Sequence, residues 1–170
     1  MASGLPGSLK NRVMSTASPR SRPDPLNRAS IPPGWGDTIV LLGRILIGGI
    51  FVQSGFDKLM GLDAFGTGLA ARGLPAAVVP VLAPIGASVE FFGGLAIVFG
   101  LMTRCAALLM IAFVIVATLI SHRFWVLQAA ERRTQTVHFA KNVAIIGGFL
   151  FLFATGGGRY SLERWWRSGK

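Results

Sequence analysis

The stretch AAVVPVLAPIGASVEFFGGLAIVFGL, residues 76–101, decides the fold, because a single charged residue, Glu90, interrupts its 26 positions. A helix of about 20 apolar residues is long enough to cross the hydrocarbon core of a bilayer. Three further stretches have the same character, at residues 37–59, 104–121 and 137–155. Lipid offers the backbone no hydrogen-bond partner, so each stretch must be helical. The sequence therefore predicts an all-α polytopic membrane protein, a bundle of four transmembrane helices.

The composition agrees with this class and excludes several functions. Of 170 residues, 52% are hydrophobic and 14% are charged, whereas about a quarter are charged in soluble domains. The net charge of +10 comes largely from residues that flank the spans, so we expect no nucleic-acid partner. The one cysteine, Cys105, excludes an internal disulfide, a CxxC redox pair and a cysteine-ligated iron–sulfur cluster.

Three segments follow from the position of the spans. Residues 1–36 are rich in basic residues, serine and proline, and we expect a disordered cytoplasmic tail there. Residues 37–159 form the membrane domain, in which Pro80 and Pro84 should kink the second span. Residues 160–170 form a short interfacial tail, where Ser161 can cap a helical turn. Ten Lys or Arg residues on the side of the termini, against five on the other side, place both termini in the cytoplasm.

Charged residues inside the spans are the first candidates for function. Arg44, Glu90 and Lys141 lie there, and charge at bilayer depth costs roughly 2.5–3.5 kcal/mol per residue. Counting depth along the helices favours an intramembrane ion pair between Arg44 and Glu90. Such a pair would serve either to fix the register of two helices or to handle protons. On its own, Arg44 could instead extend its side chain to the headgroups.

A second polar group lies towards the other face of the bilayer. His138 and Lys141 share one face of the fourth span, and Asn142 adjoins them. His122 lies at the end of the third span, and Gln53, Asp57 and Lys58 come from the outer end of the first span. These residues could form a small-molecule pocket between helices. The alternative is that the histidines only meet the headgroup layer. Haem bound between the two histidines is a weaker alternative, and with no third ligand at helical spacing we expect no metal site.

Five motifs follow one another across the four spans. They are Leu-Gly-Arg44, Gln53-Ser-Gly-Phe-Asp-Lys58-Leu, Glu90-Phe-Phe-Gly-Gly-Leu with Phe99-Gly-Leu-Met-Thr-Arg104, His122-Arg-Phe-Trp125, and Lys141-Asn-Val-Ala-Ile-Ile-Gly-Gly with Gly-Arg159-Tyr-Ser-Leu. In this order they resemble the DoxX family of small four-helix membrane proteins from bacteria and archaea. The resemblance covers about residues 37–163 and implies the four-helix fold and a bacterial inner (plasma) membrane location. It also implies, more loosely, a link to quinone chemistry, because the family is associated with quinol oxidase and thiosulfate:quinone oxidoreductase assemblies. Some members are reported with superoxide dismutase and a sulfurtransferase.

The function expected from these observations is that of an accessory subunit in a quinone-linked respiratory or oxidative-stress redox complex. The pocket would hold a quinone head group, with Lys141 bonded to a quinone oxygen and a histidine exchanging a proton near neutral pH. No covalently bound cofactor is expected, so redox partner subunits would carry the electrons. The alternatives are a non-catalytic membrane scaffold or assembly protein that recruits a partner, and a small-solute or proton pathway. Besides the lipid bilayer and redox subunits, a second copy of the chain is a candidate partner, which would make a homo-oligomer. No nucleophile–base–acid arrangement is present, so the sequence assigns no catalytic residue.

Overall fold

The structure is a computed structural model that describes residue 32 and residues 34–169, apart from the side chains at positions 129 and 130. The predicted disordered tail, residues 1–36, lies mostly outside these residues. Six α-helices and one 3-10 turn make up the described chain, which contains no strand, and four of the helices are long and apolar enough to cross a membrane. In order they are α1 (Trp35–Met60), α2 (Leu62–Ala71), α3 (Val79–Phe99), α4 (Thr103–Ser121), the 3-10 turn (Phe124–Val126), α5 (Ala129–Thr155) and α6 (Leu162–Ser168).

The four predicted spans are confirmed as α1, α3, α4 and α5, with three differences. The sequence did not predict α2, because its two glycines lower helix propensity and its ten residues are too few to span. Helix α5 begins at Ala129 rather than at residue 137, since its first two turns are polar but made of good helix formers. Pro80 lies in the first turn of α3, where proline is well tolerated, so only Pro84 is inside the helix.

The C-terminal segment folds as the sequence predicted. Helix α5 ends at Thr155, and Gly156 and Gly158 both adopt positive φ angles just after it. The hydroxyl of Ser161 then accepts a hydrogen bond from the backbone N–H of Arg164 and caps α6. These glycines therefore stop one helix and Ser161 starts the next.

Packing centres on α3. Helix α1 packs most extensively against α3, α4 packs against both α3 and α5, and α1 touches α5 only slightly. The core between them is formed by Phe51, Ile97, Met110 and Phe149, and the Phe51 and Phe149 rings lie 5.5 Å apart. Large apolar residues cover much of the outer surface, as expected where the solvent is lipid.

The α1–α3 contact depends on glycine. A Cβ atom added at Gly55 would lie 2.5 Å from the backbone nitrogen of Phe91, and one at Gly94 would lie 2.8 Å from the backbone nitrogen of Val52. Small residues therefore allow the two backbones to approach closely, which is how helices associate in membranes.

Replacing Gly55 with alanine should consequently destabilise the bundle by about 1–3 kcal/mol, because the methyl group meets the backbone of Phe91. The measurement is the unfolding free energy in detergent. Gly49→Ala is the matched control, since an added Cβ atom there has no neighbour within 4 Å. Equal stability of the two variants would contradict the close approach of α1 and α3.

Candidate functional site

A buried ion pair joins α1 to α3 beneath the short helix α2. The Lys58 ammonium lies 2.5 Å from a carboxylate oxygen of Glu90, and it also donates to the Ser54 hydroxyl at 2.9 Å. Glu90 is only 4% exposed, while the lysine side chain is 31% exposed. The ammonium also lies 5.4 Å from the centre of the Phe65 ring on α2. The carboxylate of the pair is therefore buried, while the ammonium is partly exposed.

The predicted ion pair between Arg44 and Glu90 is therefore wrong. Arg44 precedes Lys58 by 14 positions, which is about 21 Å along a helix. Because α1 and α3 run antiparallel, Glu90 lies beside the end of α1 that carries Lys58. The residues of α3 that lie beside Arg44 are Ile97 and Val98.

Arg44 instead donates its hydrogen bonds to backbone carbonyls alone. Its guanidinium donates to the carbonyls of Ile97 at 3.0 Å and Val98 at 2.6 Å, in the last turn of α3. It also donates to those of Gly157 at 2.5 Å and Tyr160 at 3.1 Å, in the loop between α5 and α6. The arginine is 1% exposed, and its charge is stabilised by carbonyl dipoles from the last turn of α3 and from the loop after α5. Its role is to join α1, α3 and the C-terminal loop.

An elongated cavity of about 560 Å³ lies between α2, α3 and α4, and we name it the apolar cavity. The Lys58–Glu90 pair lies on its wall, and Ser121 and His122 lie at the α4 end. Most of the remaining lining is hydrocarbon, and Arg72 adds a cation at the end of α2. The lining residues are Lys58, Phe65, Leu69, Arg72, Leu74, Leu82, Ile85, Gly86, Val89, Glu90, Leu109, Ala112, Phe113, Val116, Ala117, Ile120, Ser121 and His122.

Gln53 lies on a second cavity, between α1 and α2. This cavity measures about 680 Å³ and shares Lys58, Phe65 and Arg72 with the apolar cavity. Asp57 and Ser54 also line it. The Lys58 side chain therefore lines both cavities, whereas Gln53 lines only the second of them.

The two histidines lie together between α4 and α5. Their rings stack with centres 5.2 Å apart, and the Nδ1 atom of His122 is 2.7 Å from the side-chain oxygen of Gln135. Asn142 donates to the Thr118 hydroxyl at 2.8 Å, which extends the polar contacts one turn further. The polar side chains of α5 in this cluster therefore pack against the α4 side of the bundle.

The predicted single pocket is thus divided. His122, His138 and Asn142 are brought together, Gln53 lies on the other side of Lys58, and Lys141 is exposed on α5. Lys141 lines none of the cavities described above, whereas Lys58 lines both of them. The signal for Lys58 in the sequence was its position beside Gln53 and Asp57 at the outer end of the first span. No group of three His, Cys, Asp or Glu side chains close enough to hold a metal ion occurs among the described residues.

Comparison with known proteins finds two family models and several membrane-protein relatives. The DoxX family model matches residues 39–123, and the SURF4 family model matches residues 84–167. Inner membrane protein YqjF of Escherichia coli (strain K12) is 34% identical over 75% of this chain and 92% of its own length. Inner membrane protein YphA of the same organism is 37% identical over 74% of this chain and 89% of its own length.

A mycobacterial membrane protein is also similar to this chain. The uncharacterized membrane protein Rv3486 of Mycobacterium tuberculosis (strain ATCC 25618 / H37Rv) is 28% identical over 79% of this chain and 90% of its own length. No solved structure matches the chain. The family model, the two Escherichia coli relatives and the four apolar helices together confirm that this chain is a membrane protein of the DoxX family.

Proposed function

We propose that this protein is the quinone-binding accessory subunit of a membrane redox complex, and that the apolar cavity receives the quinone. The observation that supports this proposal is a long hydrocarbon-lined cavity of about 560 Å³ with a buried ion pair on its wall. Membrane quinones combine an isoprenoid tail with a polar ring, so they need both kinds of surface. Most ligand sites have this form, a mainly apolar lining with a few placed polar groups.

The hydrogen-bonding groups of Lys58 and Glu90 match the polar ring of a quinone. The lysine ammonium has three N–H groups, and Ser54 and Glu90 occupy two of them in this structure. The remaining one is free to donate to a quinone carbonyl and to stabilise negative charge that develops on its oxygen. Glu90, held beside the ammonium, is placed to accept a proton when a quinol is oxidised.

The apolar wall of the cavity matches the isoprenoid tail of a quinone. On α4 the lining runs from Leu109 to Ser121, which is 13 residues, or about 20 Å of helix. Leu82, Ile85 and Val89 line the α3 side at spacings of three and four residues, so they form one apolar stripe. A chain of isoprene units could lie along this stripe, with its ring at the Lys58–Glu90 end.

The electrons would pass to a partner subunit, because the candidate residues include no redox centre. The Escherichia coli relatives are named inner membrane proteins, and we place this chain in the same kind of membrane. Four spans would put both ends of the membrane domain on one side, and from the excess of basic residues there we propose that this side is the cytoplasm.

This orientation gives a direct test. A reporter that is active only outside the cytoplasm, fused after Lys170, should stay silent, because basic flanks are retained inside. A fusion in the loop between α4 and α5 is the positive control and should be active. Strong activity of the C-terminal fusion would reverse the orientation.

Quinone binding gives the second test. Gly86 lines the apolar cavity, and an added Cβ atom there has no neighbour within 4 Å, so Gly86→Leu should fill the cavity without disturbing α3. We expect a loss of at least about tenfold in affinity for a short-chain ubiquinone analogue, since displacing the ligand forfeits its buried apolar area. The measurement is a binding titration in lipid nanodiscs.

Gly43→Leu is the matched control, because Gly43 also has open space around an added Cβ atom but lines none of the described cavities. Wild-type affinity is expected for this variant, with thermal unfolding as the test of its fold. Absence of binding by the wild-type protein, or equal binding by both variants, would reject the quinone proposal.

A further inference from the structure

A third cavity lies at the opposite end of α4 from His122, on the membrane face that carries the C-terminus. It measures about 620 Å³ and is bounded by the start of α4, the glycine loop after α5, and α6. We name it the basic cavity. Its lining residues are Met102, Arg104, Cys105, Thr155, Gly156, Gly157, Gly158, Ser161, Glu163, Arg164 and Arg167. It shares no residue with the apolar cavity.

The charge of this cavity is strongly positive. Three arginines line it, and Glu163 is the one carboxylate on its wall among the residues that the structure describes. Both oxygens of Glu163 are already engaged, one with the Arg167 guanidinium at 2.8 Å and the other with the Thr103 backbone N–H at 3.3 Å. Arg104 makes only a long contact of 3.4 Å, to the carbonyl of Ala154. The positive charge of Arg104 and Arg164 is therefore available to an anion.

Backbone geometry adds to the attraction. The first turn of α4, which begins at Thr103, places its N-terminus at this cavity through Arg104 and Cys105. Unpaired N–H groups and the helix dipole at such an end favour an anion. Arginine side chains supply the planar pairs of donors that match phosphate oxygens.

The surroundings favour a lipid over a soluble anion. Trp165 and Trp166 on α6, next to the cavity, are 68% and 66% exposed, and tryptophan is typical of the membrane–water interface. The cavity also lies where α4 begins and α5 ends, which is the level of the headgroups for helices that span the bilayer.

We propose that the basic cavity binds the phosphate of an anionic phospholipid headgroup, through Arg104 and Arg164 with Arg167 held in place by Glu163. Basic residues near the membrane surface contribute about fivefold in affinity each for anionic lipid. Arg104→Gln combined with Arg164→Gln should therefore weaken binding of phosphatidylglycerol about 25-fold.

The test is a lipid titration of the full-length protein, followed by native mass spectrometry, with phosphatidylglycerol and phosphatidylcholine as probes. The control is the double variant Arg132→Gln with Arg133→Gln, which removes the same charge at the other end of the bundle, where both side chains are exposed. It should retain phosphatidylglycerol within about twofold of the wild type. Equal losses in the two double variants, or equal binding of the two lipids, would overturn the proposal.

Cys105 provides a second readout, because it is the one cysteine in the chain, is exposed and lines the basic cavity. Phosphatidylglycerol should slow its alkylation by iodoacetamide in the wild type but not in the Arg104 and Arg164 double variant. Phosphatidylcholine should not slow it in either. Protection by inorganic phosphate alone, as strong as that by the lipid, would show that the site takes a soluble anion and would overturn the lipid assignment.

Discussion

Replacing Arg44 with methionine should destabilise the folded protein by about 3–5 kcal/mol. A fully buried carbonyl that loses its partner costs about 1–3 kcal/mol, and a partly buried one costs less because water can reach it. Four carbonyls depend on this guanidinium, at Ile97, Val98, Gly157 and Tyr160. The measurement is the free energy of unfolding in detergent, together with the amount of folded protein recovered from membranes.

Two further variants separate this role from a simple effect of charge. Arg44→Lys should recover little stability, because an ammonium offers three donors from one point whereas the guanidinium reaches carbonyls on both sides. Arg104→Met removes an exposed arginine that makes one contact of 3.4 Å, and it should change stability by less than about 1 kcal/mol. Near-normal stability of Arg44→Met would show that the carbonyl contacts do not hold the bundle together.

Replacing Lys58 with methionine should have the second largest effect, a loss of about 2–4 kcal/mol. The change leaves the Glu90 carboxylate buried without its counter-ion, and Glu90 is only 4% exposed. The expected loss is at the lower end for a broken buried pair, since the lysine side chain is 31% exposed. Unfolding of the purified protein measures it.

A double-mutant cycle tests the pairing itself. The combination of Lys58→Met with Glu90→Leu should recover a large part of the loss, because a buried ion pair can be replaced by apolar residues at little cost. The same cycle with Arg44→Met in place of Lys58→Met should be additive, as Arg44 does not contact Glu90. Coupling of Glu90 to Arg44 rather than to Lys58 would contradict the observed pair and support the ion pair expected from the sequence.

The fold was predictable from the sequence because hydropathy is a property of single segments. Each of the four spans carries enough apolar residues to be recognised alone, and the stop at Gly156–Gly158 and the cap at Ser161 are local as well. The membrane domain could therefore be predicted from the sequence without knowledge of any tertiary contact.

The site was harder to predict because it depends on register between helices. Depth counted from the cytoplasmic ends of the spans left Arg44 and Glu90 about six residues apart, and we expected the long arginine side chain to bridge that offset. In the structure Ile97 and Val98 lie at the level of Arg44, and Lys58 lies at the level of Glu90. The partners of Arg44 are main-chain carbonyls, which are present at every position. No residue type in the sequence therefore indicates which carbonyls Arg44 contacts. Lys141 and His138 share a face of α5 by spacing, yet only the histidine has a partner on α4 among the described residues.

The central claim is that a quinone binds between α2, α3 and α4, and photo-crosslinking tests it most directly. Wild-type protein in nanodiscs is irradiated with a quinone that carries an azide on its ring, and the labelled residues are identified by mass spectrometry of peptides. The account predicts labelling at Lys58, Phe65 or residues 82–90, which a short-chain quinone prevents and which Gly86→Leu abolishes. Labelling centred on α5 around Lys141, or labelling that neither competitor nor variant reduces, would contradict it.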